Sequence, residues 1–339
     1  MATFPLLYFF TFLYYTDSGS TFFILYSYLL SLEQQHCMSA AVGMVAVIFR
    51  QTNIVWIIFF TFCVMCNTLI NALMPKRCAV SNSNDHTVVA RLICSWLRYA
   101  VLKDSKKLLN LMSHMLLTVW PYCIVFLAFL IFLWINDGIV VGARRDHEVA
   151  LHFPQLFYFA TFTVWFASVH VMSIKNVIAF LQFIKRHVLL SIFVLFMCFC
   201  VIWRFTYVHR YVLADNRHYT FYVWSWLFAK HPLLRYVFAP LYLLAGYLVL
   251  QTLALRQHFL WCIGYVLSVT ALLVPTTLLE FRYYIVPYII FRLNISVASL
   301  RQLFAEVIVY AIINALTIYI FLHRPFHWSS DLSLQRFMW

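Results

Sequence analysis

His114–Ile135 reads HMLLTVWPYCIVFLAFLIFLWI and contains no Asp, Glu, Lys or Arg. A helix rises about 1.5 Å per residue, so a run of this length crosses the roughly 30 Å hydrocarbon core of a bilayer. Comparable apolar runs flank it: Ala2–Tyr15, Thr21–Leu32, Met38–Phe49 and Ile54–Leu73 before, then Phe153–Met172, Val188–Tyr207, Leu234–Leu255, Phe259–Leu278 and Leu303–Leu322. Together they predict an all-α, polytopic membrane protein with about nine or ten transmembrane helices. Several runs are shorter than a bilayer, which predicts broken or tilted spans. The runs are continuous rather than alternating, which excludes a transmembrane β-barrel.

Composition agrees. Of 339 residues, 64% are hydrophobic and 10% charged, with a mean hydropathy of +0.85. Soluble domains run near half apolar and a quarter charged, so a soluble fold of this size lacks the charge to cover its surface. The net charge of +13 is scattered between apolar runs and forms no basic arm or patch, which argues against nucleic acid. Cys63 and Cys66 have CxxC spacing, but they and the Cys198/Cys200 pair fall inside apolar helices and read as buried free thiols. Met1–Tyr15 is apolar from its start, without a basic leader or cleavage site, and reads as part of a span. The whole chain, 1–339, reads as a single transmembrane domain.

The longest polar connection, 75–111, carries Lys76, Arg77, Arg91, Arg98, Lys103, Lys106 and Lys107 against Asp85 and Asp104. The positive-inside rule places it in the cytosol. Leu92, Trp96 and Tyr99 recur at helical spacing and suggest a helix on the membrane surface or docked on the bundle. Lys175, Lys185 and Arg186 agree with that orientation. The segments around Asp17, Arg50, 137–148, 209–222 and 279–294 are then expected on the opposite face, where membrane lipids and any substrate meet the polar clusters.

Four clusters stand out on that face. Arg50-Gln51-Thr52-Asn53 interrupts an apolar stretch, where a guanidinium and two amides are costly. They suit phosphate or sugar hydroxyls, or form a polar turn between spans. Asp215-Asn216-Arg217-His218-Tyr219 is the densest, with aromatic neighbours that suit sugar rings or a membrane-interface belt. Glu280-Phe281-Arg282-Tyr283-Tyr284 closes an apolar span, and Glu280 either pairs with Arg282 or meets substrate. Asp17 stands at the start of a span, where it caps a helix or faces a ligand. Asn294-Ile295-Ser296 is a glycosylation sequon close to the membrane. No metal-ligand spacing and no phosphate-cradling glycine loop is present, and no cofactor is expected.

Arg50–Trp56, His152–Tyr158, Leu213–Tyr222, Glu280–Tyr284 and Gln335–Trp339 resemble, as literal strings, the dolichyl-phosphate-glucose α-1,2-glucosyltransferase family of the endoplasmic reticulum, and the likeness runs from about Phe4 to Trp339. The resemblance implies a C-type glycosyltransferase whose polar site faces the lumen. It implies dolichyl phosphate glucose as donor and the diglucosylated oligosaccharide on dolichyl diphosphate as acceptor, with inversion at the transferred sugar. Inversion needs a base for the acceptor hydroxyl and positive groups on the departing phosphate. Asp17 and Glu280 are the candidate catalytic carboxylates. Arg50, Arg217 and Arg282 are candidates for the phosphate. Gln51, Asn53, Asp215, His218, Tyr219 and Tyr283 complete the candidate substrate contacts. The family's Asp-Glu loop is expected upstream of the first residues here, so the resemblance also implies a chain truncated at its N-terminus and incomplete for catalysis by itself. The alternative is a non-catalytic membrane protein that keeps the fold and acts through a partner. A transporter would need charge inside its spans, where the sequence places Glu306 almost alone.

Overall fold

The computed structural model of the protein describes residues 1–73, 105–141, 149–328 and 331–339. The expected surface helix around Trp96 lies outside the described residues, as does most of the basic loop. Sixteen α-helices and a terminal hairpin are described. They are α1 Pro5–Thr11, α2 Asp17–Leu32, α3 His36–Phe49, α4 Ile54–Leu73, α5 Ser105–Asn136, α6 Pro154–Phe166, α7 Ser168–Val171 and α8 Ile174–Arg186. They continue as α9 Val188–Phe205, α10 Arg210–Ala214, α11 Tyr219–Val223, α12 Leu234–Val237, α13 Ala239–Ala254, α14 Phe259–Leu273, α15 Ile285–Asn294 and α16 Leu300–His323. The hairpin pairs β1 Phe326–Trp328 with β2 Asp331–Gln335.

Among the described residues, five helical stretches are long and apolar enough to cross a membrane: Gln51–Ala72, Leu108–Asn136, Val188–Phe205, Leu234–Ala254 and Leu300–His323. They leave Leu117, Trp134, Leu189 and Phe304 exposed, as a lipid-facing surface requires. The broken spans take a definite form. Phe153–Met172, expected as one run, divides at Ala167 into α6 and α7. The run expected to reach Leu278 stops its helix at Leu273. Cys63, Cys66 and Cys198 are buried and free, whereas Cys200 is only half-buried.

The chain divides into two compact units. One comprises Gly19–Arg144 and Leu253–Val269. Here α2 and α3 approach closely because small residues face each other, the usual device where lipid gives helices no hydrophobic drive to associate. The Ser27 hydroxyl donates to the Ser39 carbonyl and the Ser39 hydroxyl to the Ser27 carbonyl, each at 2.8 Å. At Gly43 a Cβ would lie 2.6 Å from Ile57 Cδ1, so a larger residue requires that side chain to shift. Asn53 closes the turn between α3 and α4: its buried amide donates to Ser20 Oγ and to the Ala46 carbonyl, both at 2.7 Å.

The other unit comprises Met1–Ser18, Arg145–Thr252 and Thr270–Trp339. Its centre is aromatic. Phe4 stacks on Tyr288 at 4.5 Å and meets Phe166 edge-on at 5.3 Å. Gln155, fully buried at the start of α6, donates to the Thr276 carbonyl at 2.8 Å and to Thr276 Oγ1 at 3.0 Å. The His152 amide donates to the Val274 carbonyl. These bonds fix the segment that leads from α14 to Glu280. Burial pushes the His152 imidazole down to about 4, against a smaller opposing effect of the Thr276 backbone.

Glu306 is not alone inside α16. Arg292 of α15 donates from Nε to Glu306 Oε1 at 3.0 Å and from Nη2 to Oε2 at 2.9 Å. His170 Nε2 lies 3.2 Å from Oε2, and the Tyr310 hydroxyl donates to Oε1. At about 1.5 Å per residue, Glu306 is about 25 Å along α16 from His323. Within the stretch 279–294, Arg292 therefore pairs at the Glu306 end of α16. Directly after α7 at that end comes α8, basic and apolar by turns, with no buried residue and with Ile174 and Leu181 exposed.

Candidate functional site

Two five-residue segments of one pattern, acid–x–Arg–aromatic–Tyr, stand in the second unit. The first is Asp215–Tyr219, between α10 and α11. Asp215 Oδ1 accepts from the Arg217 amide at 3.2 Å, an Asx turn that folds the guanidinium back onto its own carboxylate. Arg217 Nε then donates to Oδ1 at 2.9 Å and Nη2 to Oδ2 at 2.7 Å. Burial raises the Asp215 carboxyl, but the Arg217 hydrogen bonds and the His218 and Arg217 charges hold it below the usual carboxylate range. The hydrogen bond to Asp215 raises Arg217 in turn, with a smaller contribution from Tyr15. Trp328 lies against the Arg217 guanidinium, 5.0 Å from ring centre to Cζ, and its Nε1 donates to Asn216.

The second segment is Glu280–Tyr284, whose last four residues form a short 3₁₀ turn before α15. Arg282 donates from Nε to Glu280 Oε2 at 2.7 Å, and from Nη2 to the same oxygen. Its Nη1 lies 3.8 Å from Asp17 Oδ2. Asp17 is the first residue of α2, with its side chain 2% exposed. Burial works against the Arg282 charge, but Glu280, Asp17 and Tyr283 hold its pKa above the ordinary value. The Tyr15 ring lies 4.9 Å from Arg282 Cζ, so Tyr15 neighbours one arginine and bears electrostatically on the other.

Each arginine is thus held by a carboxylate two residues earlier, which spends Nε and Nη2. Arg217 Nη1 has no hydrogen-bond partner among the described residues, and Arg282 Nη1 reaches only the longer Asp17 contact. The arginines are 34% and 20% exposed, so these edges can meet a ligand. Oriented guanidinium edges of this kind bind the oxygens of a phosphate. Asp17 and Glu280 thus put two carboxylates on one guanidinium.

Asp17, Asp215, Arg217, His218, Tyr219, Glu280, Arg282 and Tyr283 are therefore all in this unit. Arg50, Gln51 and Asn53 fall in the other, where the Asn53 amide hydrogens are already committed to Ser20 and Ala46. Sequence reasoning named neither Tyr15 nor Trp339 as a site residue. Tyr15 carries no signal beyond its place two residues before Asp17. Trp339 ends the string Gln335–Trp339, which drew notice only as part of a resemblance.

These features define a polytopic helical membrane protein with a paired arginine–carboxylate site at one end of its spans. Residues 1–293 match the DIE2/ALG10 family, and the chain belongs to that family. A rat protein named Dol-P-Glc:Glc(2)Man(9)GlcNAc(2)-PP-Dol alpha-1,2-glucosyltransferase is 44% identical over 346 residues, matching 100% of this chain and 71% of its own length. A human protein of the same name is 41% identical over 343 residues, with 100% and 71% covered. One from Arabidopsis thaliana, again so named, is 33% identical over 386 residues, with 100% and 74% covered. No solved structure matches the chain.

Proposed function

We propose that the protein is an inverting hexosyltransferase that transfers glucose from dolichyl phosphate glucose, in α-1,2 linkage, to the diglucosylated oligosaccharide on dolichyl diphosphate. The observation that carries this reading is the pair of arginines, each locked by its own carboxylate and each keeping an edge for an anion. The phosphate of the donor accepts from Arg217 Nη1 and Arg282 Nη1. The acceptor oxygen attacks the anomeric carbon as the bond to the phosphate oxygen breaks. Dolichyl phosphate leaves with that electron pair, and the arginines stabilise the charge it gains. The acceptor hydroxyl's proton goes to a carboxylate. We assign that role to Asp17, whose buried side chain lies beside Arg282.

The reading puts this site in the lumen of the endoplasmic reticulum. Support comes from the far end of the same unit. There α8 carries Lys175, Lys185 and Arg186, and the positive-inside rule assigns such helices to the cytosol. Along α16, Glu306 at that end is about 25 Å from His323, beside which Arg336 ties the C-terminal segment. The test uses the full-length protein in cells lacking their own enzyme of this activity. Conversion of the accumulated diglucosylated lipid to the triglucosylated form is expected, and only when dolichyl phosphate glucose is made. Unchanged lipid profiles despite folded protein in the membrane would overturn the proposal.

A further inference from the structure

The segment Gln335–Trp339 is bound into the site rather than lying beside it. The Met338 amide donates to the Arg217 carbonyl at 2.8 Å, and the Tyr219 amide donates to the Met338 carbonyl at 3.1 Å. His218 Nδ1 lies 2.9 Å from the Trp339 main-chain oxygen. Arg336 anchors the strap to the end of α16, donating from Nη1 to the Phe321 carbonyl at 2.6 Å and to that of Leu322 at 3.1 Å. The strap delivers the Trp339 indole between the two arginine segments. Its ring centre is 5.2 Å from that of Tyr219 and 6.3 Å from that of Phe281.

Two polar groups here have nothing to bond. Trp339 Nε1 and the hydroxyl of its ring neighbour Tyr219 are buried without a hydrogen-bond partner among the described residues. Buried polar groups are almost always satisfied, and an exception calls for an explanation. Packing alone asks only for an aromatic ring here, and a phenyl ring would bring no orphaned N–H. The neighbouring arginines mark the place where an oxygen-rich ligand sits. We propose that Trp339 is a substrate-binding residue, and that its Nε1–H donates to an oxygen of the bound sugar phosphate while the strap holds Arg217 in register. This rests on the glycosyltransferase reading above. Ser333 and Leu334 are exposed and the residues from Gln335 onward half-buried, so the strap lies at the protein surface.

The test is kinetic and uses the full-length protein with purified dolichyl phosphate glucose as the varied substrate. Trp339→Phe keeps the ring and deletes only the N–H. It is expected to raise the donor KM by about three- to tenfold, the worth of one neutral hydrogen bond, with kcat changed less than about twofold. Trp339→Ala is expected to raise KM further and to lower kcat, because Tyr219 and Phe281 lose their common support. Melting of both purified variants separates binding from folding. A wild-type donor KM for folded Trp339→Phe overturns the proposal. So does a loss confined to the amount of folded protein, with normal kinetics in what remains. Arg217→Ala and Arg282→Ala tell the two readings apart. If they lose transfer while Trp339→Phe does not, only this inference fails; if all variants transfer normally, the site assignment itself fails.

Discussion

Two arginine–carboxylate clusters occupy the same unit and use the same chemistry to opposite ends. In the inner one, Arg292, Glu306 and His170 have side chains 11%, 7% and 4% exposed, and both carboxylate oxygens are occupied. In the outer one, Arg217 and Arg282 are two to three times more open than Arg292, and each keeps an Nη1 edge turned away from its tight carboxylate bonds. Buried in a low-dielectric interior, such a network pins helices together and offers nothing to a ligand. Open at the edge of the spans, it is a binding site in waiting. Neither residue type nor bonding pattern distinguishes them, since all three arginines spend Nε and Nη2 on a carboxylate; exposure does.

The largest effect is expected at the open cluster. Replacing Arg217 or Arg282 with Ala removes one electrostatic stabiliser of the departing phosphate and should lower transfer by about tenfold to a thousandfold. Lysine should rescue only in part, because a single ammonium cannot both hold the carboxylate and reach the phosphate as a planar fork does. The measurement is triglucosylated lipid formed per folded protein in microsomes. Wild-type transfer by both alanine variants would make the outer cluster a second structural pin and end the contrast.

At the inner cluster the same change should act on stability instead. Arg292→Ala leaves Glu306 buried with only His170 and Tyr310, and loss of one partner of a buried pair costs about 3–5 kcal/mol. Transfer per folded molecule should stay within about twofold, since Arg292 is buried and spent on Glu306. Thermal melting in detergent, read beside transfer, decides it. A variant that melts normally but fails to transfer would show that the inner cluster also serves the reaction. The double variant Arg292→Ala, Glu306→Ala should melt above the single one, because no uncompensated charge remains.

A smaller effect belongs to His152, which anchors the segment leading to Glu280. Its folded pKa of about 4 lies below the unfolded value near 6.5. Between those values the unfolded chain binds the extra proton, so stability rises with pH across this window and is lost as pH falls through it. A shift of about 2.5 units corresponds to about 3 kcal/mol at most. Melting should therefore drop from pH 6.5 to pH 4.5, and His152→Gln should flatten that slope. Asp215 works in the same direction at lower pH: its lowered pKa makes the Arg217 pair a stabilising contact that is lost only as pH falls below the ordinary carboxylate range. An unchanged slope in His152→Gln would mean that other groups carry the acid sensitivity.

How much of this was legible in the sequence follows from what each signal needs. The spans and the arginine segments are local facts: apolar runs of bilayer length, and acid, arginine and tyrosine within five residues. The Glu280–Arg282 pair was open from spacing, because residues two apart face each other only if the chain turns, and the 3₁₀ turn at Phe281 supplies that. The partners of Glu306 were invisible because Arg292 and His170 come from two other helices. Asn53 looked like a sugar ligand because an amide in a polar turn invites one. Only the fold reveals that Ser20, on another helix, and the Ala46 carbonyl, on the other side of the turn, take both of its hydrogens. The role of the Gln335–Trp339 strap was hidden for the same reason: its partners lie more than a hundred residues earlier.

The smallest effect is expected at Asn294, and it tests where the inner end of the unit lies. Asn294-Ile295-Ser296 satisfies the glycosylation sequon, and a site on the lumenal face would be a natural acceptor. The structure puts Asn294 at the end of α15, two residues past Arg292, with only 8% of its surface exposed. Its amide nitrogen, the atom a glycan would occupy, donates to the Ile290 carbonyl at 2.8 Å. If the arginine–carboxylate site faces the lumen, the Arg292 end faces the other way, and Asn294 meets no oligosaccharide transferase. The protein should therefore migrate unchanged after treatment with a peptide N-glycosidase, and Asn294→Gln should migrate like the unsubstituted chain and transfer glucose equally well. Sequons moved by mutagenesis into the exposed Ser333–Leu334 stretch should, by contrast, acquire a glycan. A shift at Asn294 with none at 333–334 would invert the unit in the membrane and place the buried cluster, not the open one, on the lumenal side.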